Sequence, residues 1–262
     1  LLGYGRDPLP PVPDVETADG DIVVPIDLRA WGVWLKGAFG APSTTGNGPY
    51  THEFQSGGWS IPSMSIETGN PEVPSYRMVS GCKVNTISWQ MQRSGLLTAT
   101  VGLIAQGETP AGSSSAGTLT DINVLRFGQF NGAIEREGAP LGNIVSAQVT
   151  YSNNLDRIET IRSDGKIDGA DPTIASLTGS IDVRFADLTL LNDAINGAPV
   201  ELNFRFVRSV SESFELVAHA VYLPKPRLPI QGPAGIQATF EWQAALDSGV
   251  GRMCTAILIN DQ

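Results

Sequence analysis

The residues most able to do chemistry are few in this chain of 262 residues. Histidine occurs twice, as His52 in YTHEF and His219 in LVAHAVYL. An imidazole can move a proton near neutral pH, which makes both worth weighing as acid or base. Both lie in alternating, strand-like stretches, and neither has a Ser or Cys in the sharp turn of a nucleophile elbow. Cys82 and Cys254 stand far apart in apolar runs, without the short spacing of zinc ligands. They read as buried thiols rather than a disulfide, as suits assembly in a reducing cytoplasm. Asp164-Gly-Lys-Ile-Asp168-Gly-Ala-Asp171 offers three carboxylates for a calcium ion. Its spacing departs from a helix–loop–helix calcium site and no Glu closes the shell, so a solvated turn is expected. Trp59, Tyr76, Trp89 and Trp242 could stack on a sugar, but Trp89 and Trp242 fall on the apolar phase of their strands. The glycines form no phosphate-binding loop. The expectation is a chain that is not an enzyme and has no cofactor or metal site.

The elements around these residues change period along the chain. The opening LLGYGRDPLPPVPD favours an extended N-terminal arm over residues 1–20, and it has neither the basic nor the apolar region of a signal peptide. DIVVPI reads as a short strand, after which Asp27 can accept from the free N–H groups of a first helical turn. Leu28, Trp31, Val33, Trp34, Leu35 and Ala38 recur at mainly three and four residues, and Gly40 and Pro42 end the helix. KVNTISWQMQ then alternates, with Ile87, Trp89 and Met91 on one face and Thr86, Ser88, Gln90 and Gln92 on the other. Arg93-Ser-Gly95 turns the chain into LLTATVGLIAQ, where Leu97, Ala99, Val101 and Leu103 oppose Thr98, Thr100 and Ile104. Gly107 to Thr118 reads as a flexible linker. Strand runs follow at INVLRF, IVSAQVTYS and SIDVRF, and again at VELNFRFV, FELVAHAVYL and IQATFEWQAAL.

One sentence of this sequence is written twice. DLRAWGVWLKGAFGAP starts at Asp27 and DLTLLNDAINGAP at Asp187, and both run from Asp-Leu through an apolar face to Gly-Ala-Pro. The interval from Asp to Gly is thirteen residues in the first and ten in the second, a difference close to one helical turn. In both places a short strand precedes the helix and alternating strands follow it. The order predicts an internal duplication, with units at 21–118 and 119–262.

Composition limits the partners. Twenty-seven acidic and seventeen basic residues give a net charge of −10, and Lys and Arg are nowhere clustered. Tight nucleic-acid binding needs such a cluster to displace counterions from phosphate. No window approaches the roughly 18 uninterrupted apolar residues of a spanning helix, so no membrane partner is expected.

The segments DLRAWGVWLKGAFGAPSTTGNGPYTHEF, IPSMSIETG, GCKVNTISWQMQRSGLLTATVGLIAQGE and TFEWQAALDSGVGRMCTAILIND occur in that order. In this series the chain resembles the tail tube proteins of long, non-contractile-tailed bacteriophages, the siphophages. The resemblance implies a mainly β fold of two tandem sandwich or barrel units, each flanked by an α-helix. It also implies that the inner sheets join into a closed β-barrel in a ring. Tubes of this kind use six single units per ring, so a doubled chain is expected to form a homotrimer of pseudo-sixfold shape. Double-stranded DNA then passes through the lumen without tight binding. Thr86, Ser88, Gln90, Thr98 and Thr100 from the first unit, with Gln237, Thr239, Glu241 and Gln243 from the second, are the expected lumen residues. The stretch Thr68 to Met78, too long for a tight hairpin, is the expected inter-ring contact, through Pro71, Glu72, Tyr76 and Arg77. The acidic loop from Asp156 to Asp171 is its expected counterpart. Implied partners are other copies of the chain, a tape-measure protein, a tail terminator and distal tail proteins. The implied location is the virion tail, with assembly in the host cytoplasm. A capsid-associated or head-completion protein and a carbohydrate-binding β-sandwich are the alternatives.

Overall fold

The computed structural model describes residues 10–12, 14–119, 122–184, 188–226 and 237–261. In the first half of the chain, strand β1 (Gly20–Pro25) leads to helix α1 (Trp31–Phe39) and then to β2 (Ser43–Thr45), β3 (Tyr50–Gln55) and β4 (Met64–Asn70). The long β5 (Ser75–Met91), β6 (Thr98–Ile104) and β7 (Gly107–Ala111) complete it. The second half holds β8 (Gly132–Arg136), β9 (Ala139–Pro140), β10 (Ile144–Ser152), β11 (Asp156–Ile158), β12 (Gly169–Asp171) and β13 (Ser176–Arg184). Helix α2 (Thr189–Asn196) follows, with β14 (Val200–Ser209), β15 (Glu212–Tyr222), β16 (Gln237–Ala245) and β17 (Cys254–Asn260). The fold is mainly β, as the alternation predicts.

All of these strands except the β11–β12 pair join one sheet, in the order β1-β6-β5-β10-β13-β16-β15-β14-β8-β9. Strands β4 and β7 attach to β5, while β17 links β15 to β3 and β2. Within this sheet one pairing pattern occurs twice. The strand before each helix pairs with the later strand that also pairs with the long one, giving β1-β6-β5 and β13-β16-β15. The long strand is then flanked beyond that point by two others, giving β4-β5-β7 and β14-β15-β17.

The two helices explain their own limits. In α1, Trp31, Leu35, Ala38 and Phe39 are buried, whereas Val33 is 60% exposed, off the apolar side where the spacing had placed it. Asp27 caps the turn ahead of the helix, accepting from the N–H groups of Arg29 and Ala30 at 2.7 Å each. Gly37 allows α1 to press on β5, since a β-carbon there would meet the Val84 side chain at 2.8 Å. Gly40 and Gly197, with φ of 92° and 66°, end the helices in backbone regions that favour glycine. Asp187, the expected start of the second helix, lies outside the described residues, as does part of the N-terminal arm.

Phe214 of β15 sits where the halves meet. Its ring lies 5.8 Å from Trp31, 6.0 Å from Trp89 and 6.2 Å from Phe206. The buried core around it takes residues from both halves, so the boundary near residue 118 interrupts neither sheet nor core.

Three local expectations need correction. The first five residues of the expected linker, Gly107–Ala111, form β7 because β5 runs on past β6 and leaves an edge to be paired. The run INVLRF forms no strand. Its backbone bonds go to Ile26 and Leu28 on one side and to Leu97 on the other, with only a single bridge among the described residues, Arg126 to Asp27, so no ladder extends. Thr68 to Met78 is a hairpin after all, with Asn70 opposite Ser75 and only Pro71–Pro74 in the turn.

Truncating Phe214 to Ala should remove about 3–5 kcal/mol of stability. Urea denaturation should show one transition for both halves, shifted as a unit, whereas two separate transitions would mean that the halves do not share a core.

Candidate functional site

Alternation in six neighbouring strands builds a continuous polar face. One row runs Val23, Thr100, Ser88, Thr150, Thr178 and Gln243, each paired with the next across the sheet. A second runs Gln90, Gln148, Ser180 and Glu241, and a third Asp21, Gly102, Thr86, Ser152 and Ser176. Ser146, Asp182 and Thr239 form a shorter row. The other face of these strands is dry, with Ile87, Trp89, Val101, Val149, Ile181, Phe240 and Trp242 buried.

All nine residues expected at a lumen lie on these strands and on this face. Thr86, Ser88, Thr98 and Thr100 are half-buried, while Gln90, Gln237, Thr239, Glu241 and Gln243 are exposed. The contributions of β10 and β13 were not anticipated: Ser146, Gln148, Thr150, Ser152, Thr178, Ser180 and Asp182. Their signal was present, because IVSAQVTYS and SLTGSIDVR alternate in the same way as the strands that were used.

The chemistry of the face is hydroxyl, amide and carboxylate. Ser146 and Thr239 each donate to Asp182 at 2.6 Å, and Gln92 donates to Gln90 at 3.1 Å. Asp21, Asp182 and Glu241 supply negative charge along the rows, against Arg184 at the end of β13. Such a surface holds water through side chains that already bond one another and offers phosphate no cluster of cations.

The four residues expected at an inter-ring contact sit on a projecting arm made of β4, the outer half of β5 and β7. Pro71 and Glu72 are exposed in its turn, beside Val73, which is 68% exposed. Tyr76 packs over Gly69, where any side chain would collide with its ring, and Arg77 pairs with Glu108 at 3.6 Å. Glu67 stiffens the base by accepting from Ser114 at 2.5 Å and from the Ser115 N–H at 2.6 Å. The Ser114 bond holds its carboxyl below the usual range. The counterpart of this arm by pairing pattern is the β14–β15 hairpin, with Val210 96% exposed beside its turn. The acidic loop stands apart from this pattern, with β11 and β12 in a separate two-stranded sheet.

The histidines are held as strand residues. His52 Nδ1 lies 2.9 Å from Thr44 Oγ1 and its Nε2 3.0 Å from Asn260, while His219 Nε2 lies 2.8 Å from Thr255. His219 Nδ1 also lies 3.4 Å from Glu201, so each imidazole is tied between neighbouring strands. Cys82 and Cys254 are free and buried, as expected, and burial pushes the Cys254 thiol up to about 12. Trp89 and Trp242 are buried and leave a sugar platform without two of its four members.

In the acidic loop a guanidinium stands among the carboxylates. Arg162 donates to Asp164 at 2.8 and 2.7 Å and also to Asp168, which accepts from Thr160 at 2.5 Å. The Arg162 bond depresses the Asp164 carboxyl, and those from Thr160 and Arg162 depress Asp168. Both groups therefore favour the closed loop fully above their unfolded value, near about 3.9, and lose that effect as pH falls through the lower folded values. Hydrogen-exchange protection of the Gly165, Lys166 and Asp168 amides, corrected for the intrinsic rate, should hold above the unfolded value near about 3.9 and fall as pH drops below it. A loss of protection already at about pH 5 to 6 would contradict the arrangement.

Among the described residues no helix is long and apolar enough to cross a membrane. No curated protein matches this chain. A family model described as phage tail tube protein matches residues 1–244. Spanning nearly the whole sequence, that match joins the β-rich fold and the polar face in one conclusion: the chain belongs to the phage tail tube protein family.

Proposed function

We propose that this chain is the repeating subunit of a siphophage tail tube, with three copies per ring and two sectors from each copy. The observation that carries the reading is the continuous polar face across β1-β6-β5-β10-β13-β16. In the proposed ring this face lines the channel, with Thr86, Ser88, Gln90, Thr98, Thr100, Gln237, Thr239, Glu241 and Gln243 toward the DNA. Hydroxyl and amide groups hydrate the wall, and the carboxylates repel phosphate, so double-stranded DNA slides through without being held.

The repeated pairing pattern supports two tandem units, 21–118 and 119–262, each supplying one sector of a closed inner barrel. An edge strand offers a reason for closure: among the described residues β1 is paired on one side only, and a ring that pairs it closes the ladder of the polar face at that end. The projecting arm, with Pro71, Glu72, Tyr76 and Arg77, makes axial contact with the next ring, joined by the N-terminal arm at residues 1–20. The assembled tube surrounds a tape-measure protein and ends on terminator and distal tail proteins. Its place is the virion tail, after assembly in the host cytoplasm.

Introducing cations on the polar face tests this reading. The double variant Gln90→Lys and Thr239→Lys should still assemble, because both positions are exposed, but its tubes should retain double-stranded DNA at low salt. Retention should fall steeply with added salt, as counterion release requires. Assembly into tubes that ignore DNA, in the variant as in the parent, would place this face away from the channel.

A further inference from the structure

The two helices end in equivalent ways but are covered unequally. Counting back from the terminating glycines, Trp31, Trp34 and Ala38 of the first helix correspond to Leu188, Leu191 and Ile195 at the second. Trp31 and Ala38 are fully buried, whereas Leu188 and Ile195 are 53% and 57% exposed, with Leu191 half-buried between them. Spacings of three and four put the three on one side of α2, as an apolar stripe without cover.

What closes the first helix comes from the other half of the chain. Tyr151 packs on Phe39 with ring centres 4.5 Å apart, and Leu258 lies against Gly32. The buried Asn153 amide donates to the Ala38 carbonyl at 3.0 Å and to the Val84 carbonyl at 2.9 Å. Asn153 thereby fills the corner between the end of α1 and the middle of β5. In the second half the same corner lies between Gly197, at the end of α2, and Leu223, just past β15. There the structure has an open cleft of about 660 Å³, lined also by Gln148, Thr178, Ser180 and Glu241, so it opens onto the polar face and is left to the channel.

We propose that the α2 stripe is the docking surface for a second copy of the chain, which enters with β1 and the segment leading into it. The internal repeat names that occupant. Of the residues that cover α1, Tyr151 and Asn153 belong to the stretch leading into β13, and β1 is the counterpart of β13 in the pairing pattern. Val12 and Val15, in the segment ahead of β1, are 86% and 69% exposed and supply apolar side chains that match the stripe. The inference rests on the ring reading above and adds where one copy ends and the next begins.

Sedimentation of the full chain over a concentration series, with circular dichroism to confirm folding, tests it. Ile195→Asp and Leu188→Asp should stay folded and raise the concentration needed for assembly by at least about tenfold. Val33→Asp, at a comparably exposed site on α1, should leave it unchanged. A photo-crosslinker placed at Ile195 of the parent should capture residues ahead of Pro25 in another copy. Normal assembly of Ile195→Asp, or capture of a different region, would overturn the docking surface while leaving the ring reading intact. A parent chain that never assembles would overturn the ring reading and this inference with it.

Discussion

The architecture depends on two-residue alternation in six adjacent strands, broken only locally by register shifts at Val84/Thr86 and Ile144/Ser146 and by the buried end of β6. Every second side chain from β1 through β16 must enter the core while its neighbours stay wet. A slip of one residue in any ladder would turn Trp89, Phe240 or Trp242 outward and bring Gln90 or Glu241 in. Burying an unpaired carboxylate or amide is costly, so register is held by solvation as much as by packing. The same constraint makes the polar face continuous. No single strand was selected to build a surface; the surface is what remains after each strand has filled the core.

The core also dictates how the duplicated pattern is used. Two sectors that packed only within themselves would each need a complete hydrophobic interior. Here Phe214 of the second half reaches Trp31 and Trp89 of the first, and β10 splices β5 to β13. The junction inside the chain is therefore closed by packing, by strand pairing and by the amide of Asn153. The second helix lacks that cover, and Leu188 and Ile195 stay exposed on it. An asymmetry between otherwise matching halves is what a chain containing two of several equivalent sectors would show at its ends.

Much of this was legible in the sequence, for identifiable reasons. Strong alternation located β5, β6 and β16, and the glycines at 40 and 197 located both helix ends, because these signals are local. The buried thiols followed from their apolar flanks. What was misread depends on distant partners. Gly107–Ala111 has the composition of a linker and becomes a strand only because β5 offers a free edge there. INVLRF has the composition of a strand, yet its bonds are split between the segment at 26–28 and Leu97, and it forms none. Val33 fits an apolar spacing but faces outward, since the helix is covered on one side alone. The polar residues of β10 and β13 could have been included by applying the same alternation rule to the middle of the chain.

A cryo-EM reconstruction of tubes assembled from the purified chain tests the central claim most directly. The account predicts threefold rings with pseudo-sixfold outlines, whose channel wall is the face carrying Ser88, Gln90, Thr239 and Glu241. A channel lined instead by the β14–β15 face, or rings of six chains, would contradict it.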